Sequence, residues 1–203
     1  YGVPAEKVPD RTDPSFYLDH PEAAWYLNGL RLSGSAVREH HTRRLSRFFG
    51  YDRMARRFAE SLSDWDASVW PELAKEVGAR YLIAVAKQPD GYLMWPSQVE
   101  PARPGFTAPR DLVGDLAQAS RDAGLRFGLY YSGRLDWQHQ GQPIRSLDES
   151  LRAGAADREL AAEVEAHYRE LTDRCQPDIL WNDTGVPRGV DVTRLLRHFR
   201  QIV

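Results

Sequence analysis

Three short stretches hold the side chains best able to do chemistry. Lys87-Gln88-Pro89-Asp90-Gly91-Tyr92, with Trp95 close behind, joins a cation, a carboxylate and aromatic rings within one loop. Tyr130-Tyr131 is followed by Asp136-Trp137, and Trp181-Asn182-Asp183 again sets a ring beside a carboxylate. Aromatic rings next to polar loops suit the faces of sugars. Retaining glycoside hydrolysis uses two carboxyl groups roughly 5–5.5 Å apart, one attacking and one protonating the leaving group. An attacking carboxylate should stay ionised, which calls for a hydrogen-bond donor from Asn182 or a neighbour of Asp183. The plainer alternative is that Asp183 caps the turn entered at Thr184-Gly185. Asp136 and Trp137 divide the same way, between walling a pocket and closing a strand-end turn.

Other candidates carry less. His40-His41 resembles a metal pair, but adjacent helical residues point about 100° apart. No carboxylate stands four residues on, so a surface pair is expected. Cys175 is the only cysteine, which excludes an internal disulfide and a thiolate cluster, and a small core residue is expected there. Glu163, Glu165 and Glu170 are expected on the solvated face of a helix. No metal or organic cofactor is implied.

The elements that position these stretches follow from the apolar pattern. Residues 1–50 read as loop with short helices, one starting at Pro21 with Asp19 or His20 near its cap. Met54, Phe58 and Leu62 form a helical stripe over 52–62. Asp66 can cap the next helix, whose core face would be Val69, Trp70, Leu73 and Val77, with Gly78 at its end. A continuous apolar run at 80–86 then predicts a strand buried on both faces. The cycle repeats with a helix from Pro109 to Gly124 and a strand at 126–131. It repeats again with a helix over 157–175, stopped by Pro177, and a strand at 178–183. A last helix starts near Asp191 and is still running at Val203. Helix and strand alternate, which predicts a parallel α/β arrangement. All three polar-aromatic clusters lie at or beyond strand carboxyl ends, where such folds place their sites. No glycine-rich phosphate fingerprint follows a strand, and Ser33-Gly34-Ser35-Ala36 is not preceded by one. A (β/α) barrel is therefore expected over a dinucleotide fold.

Composition limits the function classes. The 203 residues are 42% apolar and 28% charged, an ordinary globular balance that permits one large domain or two small ones. A formal net charge of −2 gives no electrostatic reason to expect nucleic acid or an anionic membrane. The densest basic run, Arg38 to Arg44, is interrupted by Glu39 and lacks interleaved rings, so it reads as a solvated helix face. No apolar stretch approaches the roughly 20 residues of a membrane span.

Five runs in series resemble the retaining α-L-fucosidases of glycoside hydrolase family 29. They are WYLNGLRLSGS, HHTRRLSRFFGYDRMARRF, WDASVWPELAKEVGARYLIAVAKQPDGYLMWPS, DLVGDLAQASRDAGLRFGLYYSGRLDW and QPDILWNDTG. The resemblance implies a (β/α)8 barrel, of which this chain would hold about the first half. It also implies removal of terminal α-linked L-fucose from a fucosylated oligosaccharide or glycoconjugate. Asp183 aligns with the family's nucleophile, Trp181 with the aromatic before it, and Tyr130 or Tyr131 with its sugar-contacting tyrosine. Trp25 aligns with a pocket-wall tryptophan. Gln88, Asp90 and Trp95 belong to the family's sugar-site loop. The compartment such enzymes occupy would be secreted, periplasmic or lysosomal.

The chain departs from that pattern in its pocket. The family's Lys-His-His-Asp-Gly-Phe reads Lys87-Gln88-Pro89-Asp90-Gly91-Tyr92 here, so the loop scaffold is kept while two sugar-binding histidines are gone. Gln88 can still donate and accept, whereas Pro89 offers no side-chain donor. Ala24 stands where the family commonly has Glu. The chain opens on Tyr1 without Met, as a processed or truncated one would. The family's first strand is expected before residue 1 and its acid/base carboxylate beyond residue 203. An open half-barrel would leave unpaired strand edges and should not be stable alone. Two further readings stand beside the fucosidase: a catalytically silent relative that binds glycan or is structural, and an unrelated barrel hydrolase acting on another sugar.

Overall fold

The computed structural model describes residues 10–20 and 22–202. Three parallel strands, β1 (Tyr81–Lys87), β2 (Arg126–Ser132) and β3 (Ile179–Asp183), form one sheet in the order β1-β2-β3. The helices are α1 (Pro14–Leu18), α2 (Tyr26–Arg31), α3 (Ala36–Leu45), α4 (Tyr51–Glu60) and α5 (Val69–Glu76) before the sheet. They continue with α6 (Leu112–Asp122), α7 (Leu147–Arg152), α8 (Arg158–Cys175) and α9 (Val192–Ile202), and a 3-10 turn spans Ala23–Trp25. The start expected at Pro21 and the end at Val203 lie outside the described residues. Among the described residues no helix is long and apolar enough to cross a membrane.

One face of the sheet carries the core. α6 lays Val113 and Ala117 on it, and α8 lays Leu160, Val164, Tyr168, Leu171 and Cys175 against Phe127, Leu129 and Tyr131. The stripe on α8 recurs every three or four residues, which is why one side of an 18-residue helix can be dry. Each fully buried aliphatic side chain there contributes about 1.5–3 kcal/mol. Short polar side chains start these helices: Asp111 accepts from Gly114 N at 2.9 Å and Asp157 from Leu160 N at 2.9 Å. Asp111 therefore opens α6, and Pro109 lies outside it. Asp66 accepts from Ser68 N, one residue short of α5. α6 closes at Gly124 in the left-handed region, where a glycine meets no steric cost.

Several expectations need correction. Only β2 comes near burial on both faces, with Phe127, Gly128, Leu129 and Tyr131 buried. Tyr81 and Val85 of β1 are 53% and 36% exposed because they point away from the face that carries the core. The apolar face of α5 is also open, with Val69, Trp70, Leu73 and Val77 all at least half exposed. His41 is no surface residue: it is buried, with Nδ1 2.8 Å from Tyr26 Oη and Nε2 2.7 Å from Phe49 O. Glu163, Glu165 and Glu170 are half-buried rather than fully solvated. Glu163 pairs with His139 at 3.0 Å, and Glu170 accepts from Ser97 Oγ and Gln98 N, tying the loop after β1 to α8.

The N-terminal helices dock on the loop after β2 through polar contacts. Asn28 exchanges two hydrogen bonds with the Ile144 backbone, and Arg31 donates to the carbonyls of Trp137 and Gln140. Trp137 Nε1 donates to Ala24 O at 2.7 Å. These bonds bring Trp25, distant in sequence, to the carboxyl end of the sheet.

Candidate active site

In a parallel sheet, residues paired in register point to the same face, and successive residues alternate. Tyr130 pairs with Val85 and Trp181, and Ser132 pairs with Asp183. Val85, Tyr130, Trp181 and Asp183 therefore share one face, and the intervening Tyr131 is sent to the other. A bulge between Val85 and Lys87 breaks the alternation in β1. It turns Lys87 to the core side, in register with Tyr131, and leaves Gln88 facing with Tyr130. Lys87 is fully buried and its Nζ lies 2.5 Å from Asp136 Oδ2.

The face so formed lines a cavity of about 590 Å³ at the carboxyl end of the strands. Asp183 sits in its wall with both oxygens engaged: Tyr130 Oη donates to Oδ2 at 2.6 Å and Thr184 N to Oδ1 at 2.7 Å. Asn182, the donor expected from sequence, instead accepts from Tyr168 Oη at 2.7 Å. Gln88 Oε1 lies 3.3 Å from the Tyr130 hydroxyl. Burial raises the Tyr130 pKa far above a phenol's ordinary value, and the hydrogen bond and charge of Asp183 add to this, with a contribution from Glu22. Tyr130 thus stays protonated as a donor. Trp181 stands edge-on to Tyr130 at 5.3 Å and is 53% exposed, a ring face open to the cavity.

Trp25 lines the same cavity and stacks on His20 at 4.8 Å, with the rings 13° apart. Pro89 and Ala24 also face it. Burial, with Arg11 second, pushes the His20 pKa down to about 4, so its imidazole is neutral at pH 7. His20, Glu22, Arg134 and Thr184 were not foreseen from sequence. Arg134 and Thr184 adjoin recognised stretches and could have been found there. His20 and Glu22 come from a segment whose docking no local pattern reveals.

Three expected sugar contacts lie elsewhere. Trp95 is fully buried and packs edge-on to His167 at 5.0 Å, because the loop after β1 folds back: Met94 N donates to Ala86 O and Ala108 N to Leu93 O. Tyr131 is buried with its Oη 2.8 Å from His167 Nδ1 and the Lys87 ammonium 5.0 Å from its ring. Asp90 shares the carboxyl end of the strands with Asp183 but faces a neighbouring cavity of about 260 Å³, walled by Tyr51, Phe58, Tyr92 and Phe106. Its carboxylate accepts from Tyr51 Oη at 2.8 Å and Tyr92 N at 3.1 Å, and burial raises its pKa. Gln88 is common to both cavities. Asp136 and Trp137 close the strand-end turn: Gln138 N bonds Asp136 Oδ1, and both residues are at most 1% exposed.

Among the described residues Asp136, His139 and Glu163 bring ligand-type atoms within 4.8 Å of one another. The Lys87 ammonium already supplies the cation to this group, which fits a buried ion-pair network better than a metal site.

The α-L-fucosidase family model matches residues 1–198. Mouse tissue α-L-fucosidase is 30% identical over 161 residues, covering 78% of this chain and 34% of the relative. The bovine tissue enzyme is 32% identical over 137 residues, covering 66% and 28%. Among solved structures, Thermotoga maritima α-fucosidase superposes with a TM-score of 0.81 at 36% identity, covering 92% of this chain and 44% of that one. An α-L-fucosynthase from the same organism, in complex with α-L-Fuc-(1-2)-β-L-Fuc-N3, gives 0.86 at 35% identity, covering 97% and 45%. The chain spans about a third of the length of these curated relatives and under half of the solved structures. With the strand order, the cavity and the extent of the match agreeing, this chain belongs to the α-L-fucosidase family.

Proposed function

We propose that the protein carrying this chain is a retaining α-L-fucosidase and that Asp183 is its nucleophile. The observation that carries the reading is the carboxylate of Asp183, held at both oxygens in the wall of a cavity beside the open face of Trp181. One oxygen of Asp183 attacks the anomeric carbon of a terminal α-linked fucose, and the bond to the aglycone oxygen breaks. Water then cleaves the glycosyl ester, restoring the carboxylate and the starting configuration. Tyr130 and Thr184 N hold the carboxylate in place through both steps, and Trp181 and Trp25 wall the sugar. The three parallel strands would be consecutive members of a (β/α)8 barrel, with the chain forming part of one catalytic domain. The substrate would be a fucosylated oligosaccharide or glycoconjugate, bound without the two histidines that Gln88 and Pro89 replace. The fully engaged carboxylate favours hydrolysis over a silent relative.

The test uses the full-length protein and an aryl α-L-fucoside, whose good leaving group lessens the need for a general acid. Asp183→Gly should lower turnover by several orders of magnitude, out of an acceleration that typically exceeds about 10⁶-fold. Azide should restore part of it, since a small anion can attack from the vacated space. Turnover unaffected by the substitution would sink the assignment.

A further inference from the structure

We propose that Arg134 is a positioning residue for Asp183, acting through the backbone of Thr184; the inference rests on the nucleophile reading above. Thr184 has φ of +62°, in the left-handed region. That region is costly for a β-branched side chain, and such strain persists only where surrounding contacts over-determine it. Gln176 also has positive φ, but it is the C-cap of α8, where that conformation is ordinary. Thr184 ends no helix. It follows a strand.

The contacts that hold Thr184 come mainly from the loop after β2. Arg134 Nε donates to Thr184 O at 2.9 Å, and Arg134 N donates to Thr184 Oγ1 at 3.3 Å. Leu135 N adds a second donor to Oγ1 at 3.2 Å, and Ser132 Oγ lies 3.4 Å away. Arg134 is itself anchored: its Nη1 donates to the carbonyls of Ser150, Leu151 and Ala153 at the end of α7. Among the described residues it makes no ion pair, so its fork is committed to carbonyls. The result of this chain of contacts is one bond, Thr184 N to Asp183 Oδ1 at 2.7 Å. Without those anchors the Asp183–Thr184 peptide could turn about Asp183 ψ, carrying that N–H away and freeing the carboxylate to rotate about its side-chain bonds. The anchored peptide orients the carboxylate, and the strain at Thr184 marks how firmly it is held.

The full-length protein would be assayed on an aryl α-L-fucoside, with rates normalised to titrated active sites. Thr184→Gly removes both the strain and Oγ1, and Arg134→Lys keeps the charge but loses the planar fork. Each should lower kcat by about 10- to 100-fold, the scale of a small misplacement of a reacting group. KM should move by less than about threefold, since the bond at stake orients the attacking oxygen while the Trp181 and Trp25 walls are unchanged. The double variant should lose no more than the worse single one, because both act through one bond. Thr184→Ser, which regains Oγ, should recover most of the loss of Thr184→Gly. Thr184→Gly trades the relief of strain against the lost Oγ1 acceptor, so Tm should change little while kcat falls, whereas a purely structural role would lower the two together. Losses that multiply in the double variant, losses confined to KM, or folded variants within about threefold of wild-type kcat would each overturn the proposal. If Arg134→Lys does not fold, the Thr184 pair decides. Asp183→Gly is measured alongside: turnover surviving it would overturn the nucleophile reading and this proposal together. If that variant alone loses turnover, only the positioning role fails.

Discussion

At the residue scale the pocket is a set of hydrogen-bond decisions around one carboxylate. Tyr130 and Thr184 N occupy Asp183, leaving Gln88, beside the Tyr130 hydroxyl, as the adaptable polar group. Pro89 contributes only shape there, and its carbonyl is taken by Trp137 N at 2.6 Å. A sugar hydroxyl buried against Pro89 finds no side-chain partner, at a cost of roughly 1–3 kcal/mol. The protein should therefore show a weak KM for simple fucosides. Gln88→His with Pro89→His should lower that KM by about 5- to 150-fold per hydroxyl regained, with little change in kcat. Steady-state kinetics on one aryl fucoside decides it, and a KM that does not fall would show that these positions do not meet the sugar.

At the element scale the site depends on how closely the loops after β2 and β3 approach. Gly133 N donates to Asp183 O at 3.1 Å, and a Cβ at Gly133 would collide with the Gly185 carbonyl and lie 2.5 Å from Asn182 Oδ1. The obstacles are backbone and a side chain already bound to Tyr168, so neither can yield cheaply. Gly133→Ala should destabilise the protein by about 1–3 kcal/mol, the ordinary cost of overpacking, and should depress kcat by displacing the Asp183 strand end. Urea unfolding with parallel kinetics would check both. A variant of wild-type stability would mean that the two loops part easily. The bulge in β1 matters in the same way. By turning Lys87 inward it places the ammonium with Asp136 beneath the pocket and presents Gln88 instead.

At the scale of the whole molecule, two buried histidines couple the fold to acidity. Burial lowers the pKa of His167 from 6.5 to about 3, with Lys87 and His139 adding to it, and lowers that of His20 to about 4. Below pH 6.5 the unfolded chain takes up protons that the folded one refuses, so stability present above 6.5 falls as pH drops toward those values. His139 works the other way. Its pKa is raised by the Glu163 hydrogen bond, so its contribution is present below 6.5 and is lost as pH rises through the raised value. His167→Phe should flatten the acid side of the stability profile by about 1.4 kcal/mol per pH unit, while lowering stability overall through the lost Tyr131 bond. Denaturant unfolding of both proteins across the acid range reads this directly, and parallel profiles would count against a neutral His167. Both outer strands of the sheet leave one edge unpaired among the described residues, and α5 exposes Trp70, Leu73 and Val77. Residues 1–203 expressed alone should therefore self-associate through these surfaces, which size-exclusion chromatography over a range of concentrations checks. A monomeric fragment would contradict this.

The sequence by itself determined the alternation of helix and strand, the three strands nearly to the residue, and the family. These depend on local periodicity, on caps and on runs long enough to be specific. It also marked Asp183, Trp181, Gln88 and Trp25, which do line one cavity. It could not choose between Tyr130 and Tyr131, because adjacent strand residues are alike in type and only register assigns them to faces. Trp95 and Asp90 looked like partners of Asp183 from their place in a loop, yet that loop folds back on Ala86 and buries one while turning the other to a second cavity. Glu163 and Glu170 sit at positions that a helical wheel sends to water, and the loop after β1 and His139 come to meet them. The left-handed Thr184 left no trace in the sequence, since threonine does not ordinarily adopt that conformation. Long-range hydrogen bonds from Arg134 and Leu135 impose it, and contacts across fifty residues of chain are what tertiary structure alone decides.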